Sequence, residues 1–128
     1  MRLILVTTDS QGLKTDLAMV EQAIRTHLAK TIELAIVVVA QRHTVQPEAA
    51  NDRTISIAGP IDAVIFFEGI VDHTGLSSAR HRILIPNPEW LTPRVVASMS
   101  RLTEIWHKTQ VSLTTLAASF PGLRHAYI

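Results

Sequence analysis

The chain contains no cysteine among its 128 residues. That absence excludes disulfide bonds, thiolate metal sites and a cysteine nucleophile, and it is typical of a reducing cytoplasm. An excess of one charge is also missing, since there are 12 basic and 11 acidic side chains and a formal net charge of +1. A nucleic-acid-binding surface needs clustered basic residues, so we expect no nucleic-acid partner. From the lack of cysteine we expect a cytoplasmic protein.

Long hydrophobic runs are absent as well. A membrane span takes about 18 consecutive apolar residues, and no stretch of this chain approaches that length. The first apolar run, residues 3–6, is too short for the apolar region of a signal peptide. Hydrophobic residues make up 47% of the chain, which is typical of a globular protein with a buried core. We therefore expect no membrane span and one domain over residues 1–128.

Four short motifs with known chemistry are missing. The sequence has neither G-x-G-x-x-G nor G-x-x-x-x-G-K-[ST], the glycine-rich loops that bind dinucleotides and triphosphates. It also lacks histidines at H-x-x-H or H-E-x-x-H spacing, which metal sites on helices use. These absences predict a protein without a cofactor and without a metal site.

Short apolar runs alternate with amphipathic segments along the chain. Two of the runs, residues 32–40 and 62–67, are apolar at both odd and even positions, as in strands covered on both faces. Over residues 12–29, apolar residues recur every three or four positions, which predicts an amphipathic helix. The predicted strands are residues 2–7, 32–40, 54–58, 62–67, 82–85, 102–107 and 124–128. This alternation predicts an α/β, Rossmann-like fold, with a mainly parallel sheet flanked by helices in three layers.

Ligands of such sheets bind beyond the carboxyl ends of the strands. Gly12 lies after the first strand, where a glycine lets backbone N–H groups approach a phosphate, although an ordinary turn explains it equally well. Glu68 ends a buried strand, where a carboxylate needs a hydrogen-bonding partner or a ligand. Asp72 and His73 follow in the same loop. These three ionisable residues are the predicted catalytic groups. The alternative is that Glu68 only caps a helix or binds loop amides and that His73 is a solvated loop residue.

A rigid, polar corner follows the predicted strand at residues 82–85. Pro86 and Pro88 fix the backbone on either side of Asn87, and Glu89 comes next. Thr92 and Pro93 then have the pattern of a helix N-terminus, a capping hydroxyl followed by proline at the first helical position. The corner therefore predicts side chains held towards a cleft, or a turn whose polar groups bind its own amides.

The same corner carries a resemblance to a known family. The order Asn87-Pro88-Glu89-Trp90, a helix, and then a strand ending in Lys108-Thr109 resembles the N-terminal domain of two-domain, B-type glycosyltransferases. The run DAVIFFEGI looks like the strand of that family that ends in Glu near the cleft between the domains. The final run RHAYI looks like the last strand before the crossover into the second domain.

The resemblance implies the acceptor-side half of an enzyme that transfers sugar from a nucleotide-sugar donor. The substrates would bind in a cleft with a second, donor-binding domain, which the 128 residues do not include. We therefore expect the chain to be inactive alone. Glu68, Asp72 or His73 would be the base that contacts the acceptor. The substrate-binding residues would be Gly12, Asn87, Glu89, Lys108 and Thr109.

Two other interpretations remain open. The first is a stand-alone flavodoxin-like or receiver-like binding module. It fits poorly, because a receiver needs several acids after the first strand, where only Asp9 stands, and an acceptor Asp where this chain has Glu68. The second is an interaction domain without catalysis, in which an exposed strand at residues 102–107 or 124–128 pairs with a partner or with a second copy in a homodimer.

Overall fold

A computed structural model of the chain describes residues 1–8, 10–28, 31–39, 59–71 and 74–128. The strands are β1 (Arg2–Thr8), β2 (Glu33–Val39), β3 (Ala63–Phe67), β4 (His81–Ile85), β5 (Glu104–His107) and β6 (Arg124–Tyr127). The α-helices are α1 (Gln11–Leu28), α2 (Thr74–Ser77), α3 (Pro93–Ser98) and α4 (Gln110–Ser119). Two 3-10 turns, Pro88–Trp90 and Met99–Arg101, flank α3. The predicted short strand at residues 54–58 lies outside the described residues.

The six strands form one sheet in the order β2-β1-β3-β4-β5-β6, and every neighbouring pair is parallel. The register places Leu3 beside Leu34 on one side and beside Ala63 on the other. Further along the sheet, Leu84 lies beside Ile105. All carboxyl ends therefore lie at the same edge, which we call the carboxyl edge. The predicted parallel α/β fold is confirmed.

Helices cover both faces of the sheet. Leu3 and Leu5 point to one face, where they share a core with Leu13 of α1. Ile4 points to the opposite face, where the core includes Leu116 of α4 together with residues of α2 and α3. This two-sided burial explains why the strands are apolar at both parities, and it confirms the predicted three layers. Within the described ranges, no helix is both long and apolar enough to cross a membrane.

Three helices begin just beyond the carboxyl ends of strands, and a hydroxyl caps each of them. Ser10 Oγ accepts the Leu13 N–H of α1 at 3.3 Å. Thr92 Oγ1 accepts the Val95 N–H of α3 at 3.3 Å, with Pro93 in the first turn as predicted. Thr109 Oγ1 accepts the Ser112 N–H of α4 at 3.1 Å. These caps fix the loops that surround the carboxyl edge.

Candidate functional site

The strand order reverses between β1 and β3. From β1 the chain crosses to β2 at one edge of the sheet, whereas β4, β5 and β6 are added on the other side of β3. In open parallel sheets the loops diverge at such a reversal and leave a crevice outside the carboxyl ends. Here the residues at that position are Thr8, which ends β1, and Glu68, which directly follows β3.

Glu68 has an unusual backbone conformation. Its φ is +63°, the one positive value among the non-glycine residues that the structure describes. The Gly69 N–H donates to the Phe67 carbonyl at 2.8 Å, which closes a three-residue turn around Glu68. The Glu68 N–H donates to the Ile85 carbonyl of β4 at 2.9 Å, so the neighbouring strand holds the turn in place. Strained residues of this kind cluster at functional sites.

The carboxylate of Glu68 is available to a ligand. The residue is partly exposed, and within the described part of the chain its side chain makes no hydrogen bond or ion pair. The other two predicted catalytic residues, Asp72 and His73, lie outside the described residues. Of the three predicted catalytic residues, Glu68 is therefore the one whose position the structure describes. It lies where the strand order reverses, the place at which open parallel sheets bind ligands.

Relief of this backbone strain gives a stability prediction. A left-handed conformation costs a residue with a Cβ about 1–2 kcal/mol, and glycine avoids that cost. We therefore expect Glu68→Gly to raise the free energy of unfolding by about 1 kcal/mol relative to Glu68→Ala, which keeps the Cβ. Urea denaturation of both variants measures the difference. If Glu68→Gly were the less stable of the two, the turn at Glu68 would not be strained.

The corner after β4 combines a structural and an exposed group. Asn87 Oδ1 accepts the Glu89 N–H at 3.4 Å and caps the 3-10 turn Pro88–Trp90. The oxygen of Asn87 thus serves the turn, as the alternative interpretation of this corner proposed. Glu89 is exposed, and its carboxylate has no partner among the described residues. The corner therefore presents one free carboxylate beside the carboxyl edge, on a backbone that Pro86 and Pro88 restrict.

Lys108 connects the end of β5 to α1. Its Nζ lies 2.7 Å from Asp16 Oδ2, and both side chains are more than one third exposed. An exposed pair contributes at most about 1 kcal/mol, so a ligand anion can replace Asp16 at little cost. Asp16 is one helical turn beyond Gly12, which brings Lys108 to the first turns of α1. The sequence offered no signal for Asp16, because the pair joins residues far apart in the chain.

Gly12 occupies the second position of α1 and is exposed. A Cβ built at this position would meet no described atom within 4 Å. Packing of the described residues therefore does not require glycine here, and its predicted contact with a phosphate stays a prediction.

Behind Thr109, a chain of polar groups runs from the buried Ser112 of α4 to the partly exposed His125 of β6. His107, the last residue of β5, has no exposed surface, and Ser112 is 1% exposed. His107 Nδ1 lies 2.8 Å from Ser112 Oγ, and His107 Nε2 lies 2.9 Å from His125 Nδ1. Burial lowers the pKa of His107 below its usual 6.5, and the neighbouring His125 lowers it further. Both histidines lay on predicted strands, but their contact depends on the register of β5 and β6.

The carboxyl edge thus combines two free carboxylates, one exposed ammonium group and capped helix N-termini. This set can bind a polyhydroxylated ligand, because carboxylates accept and an ammonium group donates hydrogen bonds. Within the described ranges no three His, Asp or Glu side chains lie close enough to hold a metal ion. Comparisons with protein-family models, curated proteins and solved structures returned no match. A function for this chain is therefore inferred from the residues and the geometry of the carboxyl edge.

Proposed function

We propose that the chain is the acceptor-side domain of a glycosyltransferase that uses a nucleotide-sugar donor. One observation carries the proposal: Glu68 after β3, Glu89 after β4 and Lys108 after β5 all follow strands that end at the same edge of the sheet. The corners at residues 87–90 and 108–109 are the features that resemble B-type glycosyltransferases. The first corner carries Glu89, whose carboxylate has no partner among the described residues, and the second carries Lys108, which pairs with the partly exposed Asp16.

The chemistry assigned to this edge is deprotonation of an acceptor hydroxyl. Glu68 accepts the hydroxyl proton while the acceptor oxygen forms a bond to the anomeric carbon of the donor sugar. The bond from that carbon to the nucleotide phosphate breaks, and the phosphate leaves with the bonding electrons. A positioned carboxylate acting in this way accelerates a reaction by about 100-fold to 10,000-fold. Glu89 and Lys108 would orient the acceptor, and a second domain would hold the nucleotide.

The test is a transfer assay with residues 1–128, alone and as part of a full-length protein that also contains a donor-binding domain. A panel of nucleotide sugars is combined with a panel of alcohol and glycoside acceptors, and products are detected by mass spectrometry. We expect transfer of one sugar to at least one acceptor class, and no transfer by residues 1–128 alone. A full-length protein that is folded but transfers no sugar with any combination contradicts the proposal.

A second candidate function is an interaction module without catalysis. Ile36 and Val38 of the edge strand β2 point to the same face, and they are 36% and 50% exposed. Exposed apolar side chains on an edge strand are typical of a surface that pairs with another chain. Light scattering of the purified chain distinguishes the two functions. A stable dimer would favour the interaction module, whereas a monomer favours the glycosyltransferase domain.

A further inference from the structure

The polar groups behind the carboxyl edge contact one another in series, from α4 through β5 to β6. Ser112 of α4 contacts His107 of β5, His107 contacts His125 of β6, and His125 Nε2 lies 3.0 Å from the Phe120 carbonyl oxygen. The ring planes of the two histidines are 16° apart, and their centroids are 5.2 Å apart. Because the centroid distance far exceeds the nitrogen–nitrogen distance of 2.9 Å, the rings meet edge to edge. We call these groups the imidazole chain.

The carbonyl at the end of the imidazole chain determines where each proton lies. A carbonyl oxygen only accepts, so His125 Nε2 must carry a proton and donate it to Phe120. In a neutral His125, Nδ1 is then an acceptor, and His107 Nε2 must donate to it. His107 Nδ1 is consequently an acceptor as well, and the hydroxyl of Ser112 donates to it. When both imidazoles are neutral, each therefore carries its proton on Nε2.

Full protonation of both rings is incompatible with this arrangement. One added proton is accommodated on His125, because His107 then accepts at Nε2 and donates from Nδ1 to the Ser112 hydroxyl. When both rings are charged, His107 Nε2 and His125 Nδ1 are two donors face to face.

Among the described residues, no carboxylate side chain contacts either ring. Helix α4 carries no ionisable side chain. On the face of the sheet that His107 occupies, β6 contributes His125 and the exposed Tyr127. After β4 the next residue is the uncharged Pro86. The adjacent Lys108 is itself a cation and extends to Asp16 of α1.

The imidazole chain lies directly behind the corner that carries Lys108. His107 precedes Lys108 in the sequence, Thr109 caps α4, and the N–H that Thr109 accepts belongs to Ser112. We propose that His107 and His125 are positioning residues that hold the Lys108-Thr109 corner at the carboxyl edge, and that protonation of the pair releases this corner. The effect on acceptor binding rests on the proposed function, whereas the effect on the corner does not.

The direction of the pH dependence follows from burial. The pKa of His107 is lowered in the folded state. The open form, in which the Lys108-Thr109 corner is released, therefore binds protons more readily than the closed form, in which the corner is held. The closed corner is therefore fully stable above the ordinary histidine pKa of about 6.5. Below that pH, and down to the lower pKa of the folded state, the fraction of molecules in the open form rises. If opening takes up one proton, the rise is at most about tenfold per pH unit.

The first test is the protonation state of both rings, measured without any ligand. Nitrogen-15 NMR of the side chains distinguishes a neutral ring with the proton on Nε2 from the other two forms. At pH 7.5 we expect this form for both His107 and His125. A proton on Nδ1 of either ring at that pH would overturn the imidazole chain.

The second test follows the corner itself by hydrogen exchange. We compare protection factors, corrected for intrinsic exchange, between pH 7.5 and 5.5. The amides of the first turn of α4 should lose protection by tenfold or more, while those of β1 and β3 keep theirs. Uniform loss along the chain would indicate global unfolding and contradict a local release of the corner.

Matched variants separate the imidazole chain from other histidines. His107→Gln keeps one donor and one acceptor but does not titrate, so the loss of protection in α4 at low pH should disappear. His27→Gln, which alters an exposed residue of α1, should behave as the wild type. If His107→Gln kept the wild-type pH dependence, the proposal would be wrong. The exchange data require no sugar transfer, so a protein that shows the pH effect but transfers no sugar contradicts only the proposed function.

Discussion

Ile4→Ala is expected to lower the free energy of unfolding by about 2–5 kcal/mol, the range for large-to-small changes in a closed core. Ile4 lies in β1, which has a neighbouring strand on both sides, and it has no exposed surface. Its side chain packs in the core between the sheet and helices α2 to α4. The loss combines the transfer energy of the removed carbons with the cavity that they leave, and urea denaturation measures it.

The neighbouring strand supplies a matched control for this substitution. Ile36 lies in the edge strand β2 and is 36% exposed. Ile36→Ala removes the same atoms, but water already reaches the site and no closed cavity forms, so we expect a loss of about 1 kcal/mol. Equal losses for Ile4→Ala and Ile36→Ala would contradict the strand order, because β1 would then be no more central than β2.

Glu68→Gln is expected to lower the kcat/KM of sugar transfer by about 100-fold to 10,000-fold, the range for loss of a positioned general base. The substitution keeps the size of the side chain and removes its ability to take up a proton. The carboxylate of Glu68 makes no hydrogen bond or ion pair with the other described residues. The melting temperature should consequently stay within a degree or two, since no stabilising contact is lost.

Glu89→Gln is the matched control for this loss of activity. Glu89 is also a carboxylate without a described partner at the same edge, but it lies on the corner after β4 and is exposed. Its proposed role is to orient the acceptor, so Glu89→Gln should raise the KM and change kcat little. If Glu68→Gln transferred sugar at the wild-type rate, Glu68 would not be the base, and Asp72 and His73 would be the next residues to substitute.

Much of the fold was predictable because burial leaves a clear trace in the sequence. The strands buried on both faces, such as β3, are apolar at consecutive positions, and this pattern alone indicated a sheet covered on both sides. The start of α3 was equally clear, since Thr92 and Pro93 have the pattern of a helix N-terminus. The strand order was not predictable, because an apolar run does not specify its neighbour.

The candidate site was predictable only where it follows the ends of strands. Parallel strands end at one edge, so Glu68, Glu89 and Lys108 could be assigned to it from the sequence. The positive φ of Glu68 left no signal, because a glycine at that position would have been the usual indication. The pair between Lys108 and Asp16 was not predictable either, since it depends on how α1 packs on the sheet.

The proposed function requires that the carboxyl edge of the sheet binds the sugar acceptor. The most direct measurement is a map of backbone amide shifts in residues 1–128 during titration with a panel of methyl glycosides. We predict that at least one glycoside shifts the amides of Thr8, Glu68, Gly69, Lys108 and Thr109, and leaves those of Gly122 and Leu123 near the opposite edge unchanged. Shifts confined to the opposite edge, or no shift with any glycoside at millimolar concentration, would contradict the claim.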